Sequence, residues 1–300
     1  MPALLNAGAR QFFVAHWSEV PEVLSHTSGA NIAVLHGVAN AREAAFARAT
    51  GVLPVINSLH QARIWLQAGG GPCHLMVDSG MNRLGVEPAN LCDPIIDRLE
   101  VDTLLSHLAS ADENSPQNER QLAVFRDALP RVNARAFSLA NSAGIALGPD
   151  YHFDLTRPGL ALYGGVPRPE LAGEIRQVAF VEAAVLQVRD LSPGDLVGYN
   201  AVWQAEKPTR AATISIGYAD GILRSWGAEG ALQHGEDRLE IIGRVSMDMI
   251  IVDCGSTPLE EGDFCSLSYD LPQASRISGL SQYELLTVLG QRFDRVVQQD

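Results

Sequence analysis

The chain has 300 residues, 46% of them apolar, and a formal charge of −13: enough apolar sequence for a well-buried core, and no basic cluster for nucleic acid or an anionic membrane. Its cysteines, Cys73, Cys92, Cys254 and Cys265, form no CxxC pair, so they read as free thiols in a reducing compartment such as the cytoplasm. No basic leader precedes an apolar stretch, and no apolar run approaches the roughly 20 residues of a membrane helix, so a soluble protein is expected.

In chain order, MPALLNAGAR reads as the tail of a helix, and then short apolar, β-rich runs alternate with helical patterns. The runs are QFFVA (11–15), NIAVLHG (31–37), LPVIN (53–57), CHLMVD (73–78), TLLSHLA (103–109), RAFSLA (135–140) and LALYG (160–164). The first four recur about every 20 residues, the length of a strand, loop and helix. Stretches such as NAREAAFARATG are alanine-rich, helical in period and closed by glycine, as a helix C-terminus prefers. Runs apolar on both faces are those of parallel strands covered by helices, so the candidates are a barrel or a doubly wound sheet. Seven strands are found where a (β/α)8-type barrel needs eight, and the first βα unit is the one expected to be missing.

Past residue 168 the texture changes. VAFVEAAVLQVRDLSPGDLVGYNAVWQA, RAATISIGYADG and LEIIGRVSMDMIIVDC carry β-type runs and a PGD turn with few helical periods. Residues 1–168 are therefore expected to form a cofactor-binding βα barrel, and 169–300 a mostly-β domain. A helix returns in ISGLSQYELLTVLGQRF, with Ser281 as its N-cap and Glu284 as capping-box partner.

In a βα barrel, polar residues at the C-terminal strand ends face the active-site mouth. Those residues are Arg83 in VDSGMNRLG, His107 in LLSHLASAD, Asn141 and Ser142 in LANSAG, and Arg157 and Gly159 in FDLTRPGLALYGG. Each has a plainer reading: Arg83 paired with Asp78, His107 as a core histidine, Ser142 in a capped strand-to-helix turn, Gly159 as the turn residue after Pro158. Together, two arginines, a histidine and exposed backbone N–H groups at one mouth suit a phosphorylated anion. No metal-ligand spacing, GxSxG, Walker A or GxGxxG competes.

HLMVDSGMNRLG, LLSHLASAD, ANSAG, DLTRPGLALYGG, ISIGYADG and GRVSMDM, in this order and over nearly the whole chain, resemble alanine racemase. The resemblance implies a pyridoxal 5′-phosphate enzyme that interconverts L- and D-alanine through a cofactor-stabilised carbanion and supplies D-alanine for peptidoglycan. It implies that Tyr218 is a catalytic proton carrier, assisted by His107 and Arg157, since a free phenol needs help to act as a base. Arg157 would face the pyridine nitrogen. Arg83 would lie near the cofactor's ring oxygen and the substrate carboxylate. Asn141 would bind the cofactor, Ser142, Gly159 and Leu160 would bind its phosphate, Met247 would meet the substrate carboxylate through its backbone, and Tyr269 would stand at the entrance. Tyr218 and Met247 would serve the other subunit of a head-to-tail homodimer.

Two departures from the family pattern stand out. Met76 occupies a position that in some members is a carbamylated lysine. The family's cofactor-bonding lysine lies in a KANAYGHG-like motif on the first barrel strand, and nothing like it occurs here: Lys207, in AEKPTR, is the one lysine of the chain. That is the strand missing from the count. Two alternatives stay open: a racemase for another amino acid, and an inactive or truncated paralogue that binds the cofactor or a partner.

Overall fold

The computed structural model describes residues 1–267 and 269–297. They divide into two compact units, Met1–Gly159 and the chain from Leu160 onward.

The first unit opens with helix α1 (Pro2–Asn6) and strand β1 (Phe12–Val14). There follow α2 (Val20–Leu24), β2 (Ile32–Val34), α3 (Ala41–Thr50), β3 (Leu53–Ile56), α4 (Leu59–Gln67), β4 (Pro72–Met76), β5 (Glu100–Leu105), α5 (Pro116–Ala128), β6 (Ala134–Ser138) and the short α6 (Ser142–Ala146). From α3 to α6 the helices start where side chains cap them. Asn40 accepts the Glu43 N–H at 3.0 Å, Ser58 accepts the Gln61 N–H at 3.1 Å, and α3 ends on Gly51 at φ 72°.

The six strands form one parallel sheet in the order β1-β2-β3-β4-β5-β6. Successive side chains take opposite faces. Leu75 and Leu104 join the large cluster under the helices with Phe125 and Trp65, whereas Met76 and Leu105 pack on the other face with Ala33 and Val55. Both faces are therefore apolar, which is why these runs show no polar alternation. The architecture is a parallel half-barrel.

The seventh expected strand, LALYG, is not one. Leu160–Tyr163 is a 3-10 turn, closed on itself by Gly164 N–H to Ala161 O at 3.3 Å and Gly165 N–H to Leu160 O at 3.1 Å. Gly164 has φ 85°, and a β-carbon on Gly165 would lie 2.3 Å from Leu160 Cδ1, so two glycines permit a tight turn whose apolar residues mimic a strand. The neighbour of β6 is instead segment 154–157, through the bridge Asn141–Arg157 and the bond Arg157 N–H to Ala140 O at 2.9 Å.

The second unit is mostly β. Strands β7 (Glu182–Leu191), β8 (Leu196–Val197), β9 (Trp203–Gln204), β10 (Thr209–Ile214), β11 (Ala231–His234), β12 (Asp237–Glu240), β13 (Ile250–Asp253) and β14 (Phe264–Leu267) precede α7 (Leu271–Ser278) and α8 (Gln282–Thr287). Six of them form an antiparallel sheet ordered β12-β11-β14-β7-β10-β13, and β8 pairs with β9. Its core holds Trp226, Ile214, Ile216, Val252 and Cys265. The Ser281 and Glu284 capping box forms as expected, starting α8. Among the described residues no helix is long and apolar enough to cross a membrane. All four cysteines are free, and Cys92 is the exposed one.

Candidate active site

In the first unit, Arg157 organises the C-terminal ends of β5 and β6. Its guanidinium donates to Ser106 O, to Ser138 Oγ and, at 3.4 Å, to Leu139 O. The Ser138 hydroxyl in turn donates a hydrogen bond to Leu155 O at 2.6 Å. Burial pushes the Arg157 pKa down to about 10, which leaves it charged at neutral pH. The guanidinium carbon also lies 6.0 Å from the centre of the Phe13 ring, and Phe13 stacks on His74 with centroids 5.7 Å apart.

His107 lies two residues past the end of β5. Burial first, then the charge of Arg157, then that of Arg83, lower its pKa to about 4. Two arginines and a neutral imidazole thus share one electrostatic neighbourhood. His74, buried in β4, is likewise held to about 4 by burial, against the pull of Asp102 and with some help from Arg157. Ser79, Ser106 and Gln121 brace this end of the sheet. Ser79 and Ser106 hydroxyls meet at 2.7 Å, and Gln121 Nε2 reaches Ser79 Oγ at 3.1 Å and His107 O at 2.9 Å.

Arg83 is exposed on the loop after β4, and no ion pair joins it to Asp78. Asp78 is occupied instead: its Oδ1 accepts the N–H groups of Gly80, Met81 and Asn82 at 2.8, 2.9 and 3.1 Å, which shapes the loop and leaves the Arg83 charge available to a ligand. Met76 is 6% exposed among apolar neighbours and gives Arg83 no polar support. Asn141 caps α6 through Gly144 N–H at 2.8 Å, and the buried Ser142 hydroxyl accepts the Gly159 N–H at 2.9 Å.

Both histidines are neutral in the folded protein down to about pH 4, whereas an unfolded histidine takes up a proton near pH 6.5. The stability they contribute is whole above pH 6.5 and is lost as the pH falls from there toward 4. Urea denaturation at pH 7, 5.5 and 4.5 is expected to show this acid slope, and His107→Asn should make it shallower by about one proton. An unchanged slope in that variant would contradict the buried, cation-flanked setting of His107.

In the second unit, Tyr218 opens a 3-10 turn, Tyr218–Asp220, with the Arg224 guanidinium 5.3 Å from its ring centre. The turn lies against the 246–249 turn: Tyr218 N–H donates to Ser246 O at 3.1 Å and Ala219 N–H to Met247 O at 2.9 Å. Met247 is 53% exposed. Leu160 is buried, and its backbone N–H donates to the Tyr283 hydroxyl oxygen, a partner that no motif indicated. Tyr269 departs from its expected place. It is 2% exposed, stacks on Trp226 with centroids 6.2 Å apart and donates its hydroxyl to Leu285 O, so it is a core residue of its unit rather than an entrance group.

Residues 1–167 match the family model described as Alanine racemase, N-terminal domain, and residues 178–297 the model described as Alanine racemase, C-terminal domain. The chain is 40% identical to an alanine racemase of Methylobacterium nodulans, covering 98% of this chain and 84% of that protein. It is also 40% identical to one of Brucella canis, over 98% and 82% respectively. Among solved structures it is similar to an alanine racemase from Bartonella henselae with covalently bound pyridoxal phosphate, at a TM-score of 0.88 and 36% identity, covering 98% of this chain and 87% of that one.

Proposed function

Because the chain belongs to the alanine racemase family, we propose that it acts on alanine with pyridoxal phosphate seated on the first unit and Tyr218 as a proton carrier at the substrate Cα. The observation that carries this reading is the neighbourhood of Arg157, Arg83 and a neutral His107 at the end of β5.

The residues present fit the cofactor at two of its ends. Ser142 and the Gly159 N–H provide groups of the kind phosphate oxygens take, with Asn141 capping the turn beside them and Leu160 following. Arg157, fixed by several oxygens and still charged, suits a ring nitrogen that is to stay unprotonated. Bound pyridoxal phosphate withdraws electrons from Cα and makes its proton removable. Arg83 holds the substrate carboxylate, with the Met247 backbone as a further contact. Tyr218 takes or returns the proton on one face of Cα, and neutral His107 is held in the field of Arg157 in the first unit. Tyr269, lying in a core, is left out of this set.

At the third end, the aldehyde, a primary amine is the group that forms a covalent bond. The first unit has no lysine, and Lys207 lies exposed in the bend between β9 and β10 of the second. The chain's own residues therefore supply a proton carrier to one face only, and its cofactor is held by phosphate and ring contacts. Incubation with cofactor, borohydride reduction and peptide mass spectrometry should find Lys207 unmodified while equilibrium dialysis finds cofactor bound. Stoichiometric labelling of Lys207 would refute the assignment.

We further propose a head-to-tail homodimer in the cytoplasm, supplying D-alanine for peptidoglycan, in which the second unit of one copy brings Tyr218 and Met247 to the first unit of the other. This is supported by the separation of the cofactor candidates, nearly all before residue 160, from the proton-transfer candidate at 218, and by four free cysteines.

A further inference from the structure

The two turns that carry Tyr218 and Met247 are joined by a third segment. Asp220, 6% exposed, accepts the Gly217 N–H on Oδ2 at 3.0 Å, which closes the Tyr218 turn. Its other oxygen, Oδ1, accepts Arg292 Nε at 2.8 Å, and Arg292 Nη1 reaches across to Asp248 Oδ1 at 2.8 Å. Asp248 follows Met247 directly, so one guanidinium spans both turns.

The chain around Arg292 is fitted to this place. Gly290 N–H donates to Asp220 O at 3.3 Å. Gly221, at φ 97°, lies where a β-carbon would be 2.5 Å from Val288 O, and one on Gly217 would be 2.4 Å from Met247 O. Three backbone segments meet there with no space for side chains between them. Without a cation, two carboxylates that converge on one point would repel and push the turns apart.

We propose that Arg292 is a positioning residue for Tyr218: by bridging Asp220 and Asp248 it locks the phenol's turn to the Met247 turn and so fixes where the phenol stands. The inference rests on the reading of Tyr218 as the proton carrier. Arginine suits the task because its separate N–H groups each meet one carboxylate in a rigid plane, whereas a lysine offers a single ammonium. Proton transfer is sensitive to displacements of about 1 Å, so a loosened turn costs rate without removing any reacting group.

The test uses the whole chain carrying Arg292→Met, Arg292→Lys or Asp248→Asn, with circular dichroism to establish folding. Amide hydrogen exchange, which needs no cofactor, should show protection at Tyr218 and Ala219 falling by about tenfold or more in Arg292→Met, with β7, β10 and β14 unchanged. Deuterium incorporation at Cα of alanine should fall by about tenfold or more with the same half-saturating alanine concentration, and Arg292→Lys and Asp248→Asn should lie between. Wild-type protection in Arg292→Met, or protection lost evenly across the sheet, would overturn the clamp. If Tyr218→Phe leaves deuterium incorporation intact, the reading of Tyr218 fails, and the amide protection still decides the role of Arg292.

Discussion

Tyr218→Phe is expected to lower deuterium incorporation at Cα from one alanine enantiomer by about a thousandfold while leaving pyridoxal phosphate affinity within about twofold. The substitution removes the phenolic O–H and keeps the ring. Nothing that holds the turn is lost: Tyr218 N–H still meets Ser246 O, Ala219 N–H still meets Met247 O, and Arg224 still faces the ring. The groups assigned to the cofactor lie elsewhere in the sequence, so their affinity has no reason to change. Proton NMR in heavy water, run separately on L- and D-alanine, reads the effect. Unchanged deuterium incorporation, or loss of cofactor, would contradict the role given to Tyr218.

Arg157→Met should weaken both the fold and the cofactor site. The guanidinium satisfies Ser106 O, Ser138 Oγ and Leu139 O, and methionine leaves those acceptors without it. At about 1 kcal/mol or more for each unmet buried acceptor, the loss is roughly 3 kcal/mol, a drop in Tm of the order of 10 °C for a unit of this size. Cofactor affinity should fall by more than about tenfold, the equivalent of 1.4 kcal/mol. One of the two cations pressing on His107 disappears as well, so its pKa should rise from about 4. Arg157→Lys should not restore the wild type, because one ammonium cannot span the same acceptors. Thermal melts, cofactor titration and imidazole NMR would each register the change, and a wild-type melt would remove Arg157 from its place at the centre of the sheet end.

Local chemistry made much of this legible in the sequence. The first six apolar runs are β1 to β6, the stretch NAREAAFARATG is α3 with Gly51 as its stop, and Ser281 with Glu284 opens α8. These depend on neighbours within a few residues. LALYG misleads because its composition is that of a strand, while Gly164 and Gly165 permit a turn that only the missing sheet partner reveals. Tyr269 misleads for a related reason: its burial against Trp226 and its bond to Leu285 depend on elements distant in sequence.

The site divides along the same line. Arg157 and His107 could be nominated from strand ends, and the structure brings them together. Ser106, Ser138 and Gln121, which brace them, left only a faint trace as polar residues within apolar stretches. Asp220 and Asp248 stood inside quoted motifs without a role. Arg292, 44 residues beyond Asp248, had no local signal at all, since an ion pair between separate turns leaves no periodicity to read.

The central claim, that this chain with pyridoxal phosphate removes the α-proton of alanine, is tested most directly by incubating the two with each alanine enantiomer in heavy water and following Cα deuteration and chirality together. The account predicts deuteration of one enantiomer well above that produced by free cofactor, saturable in alanine, and faster than the appearance of the opposite enantiomer. Deuteration of both enantiomers at the rate of free pyridoxal phosphate would contradict it.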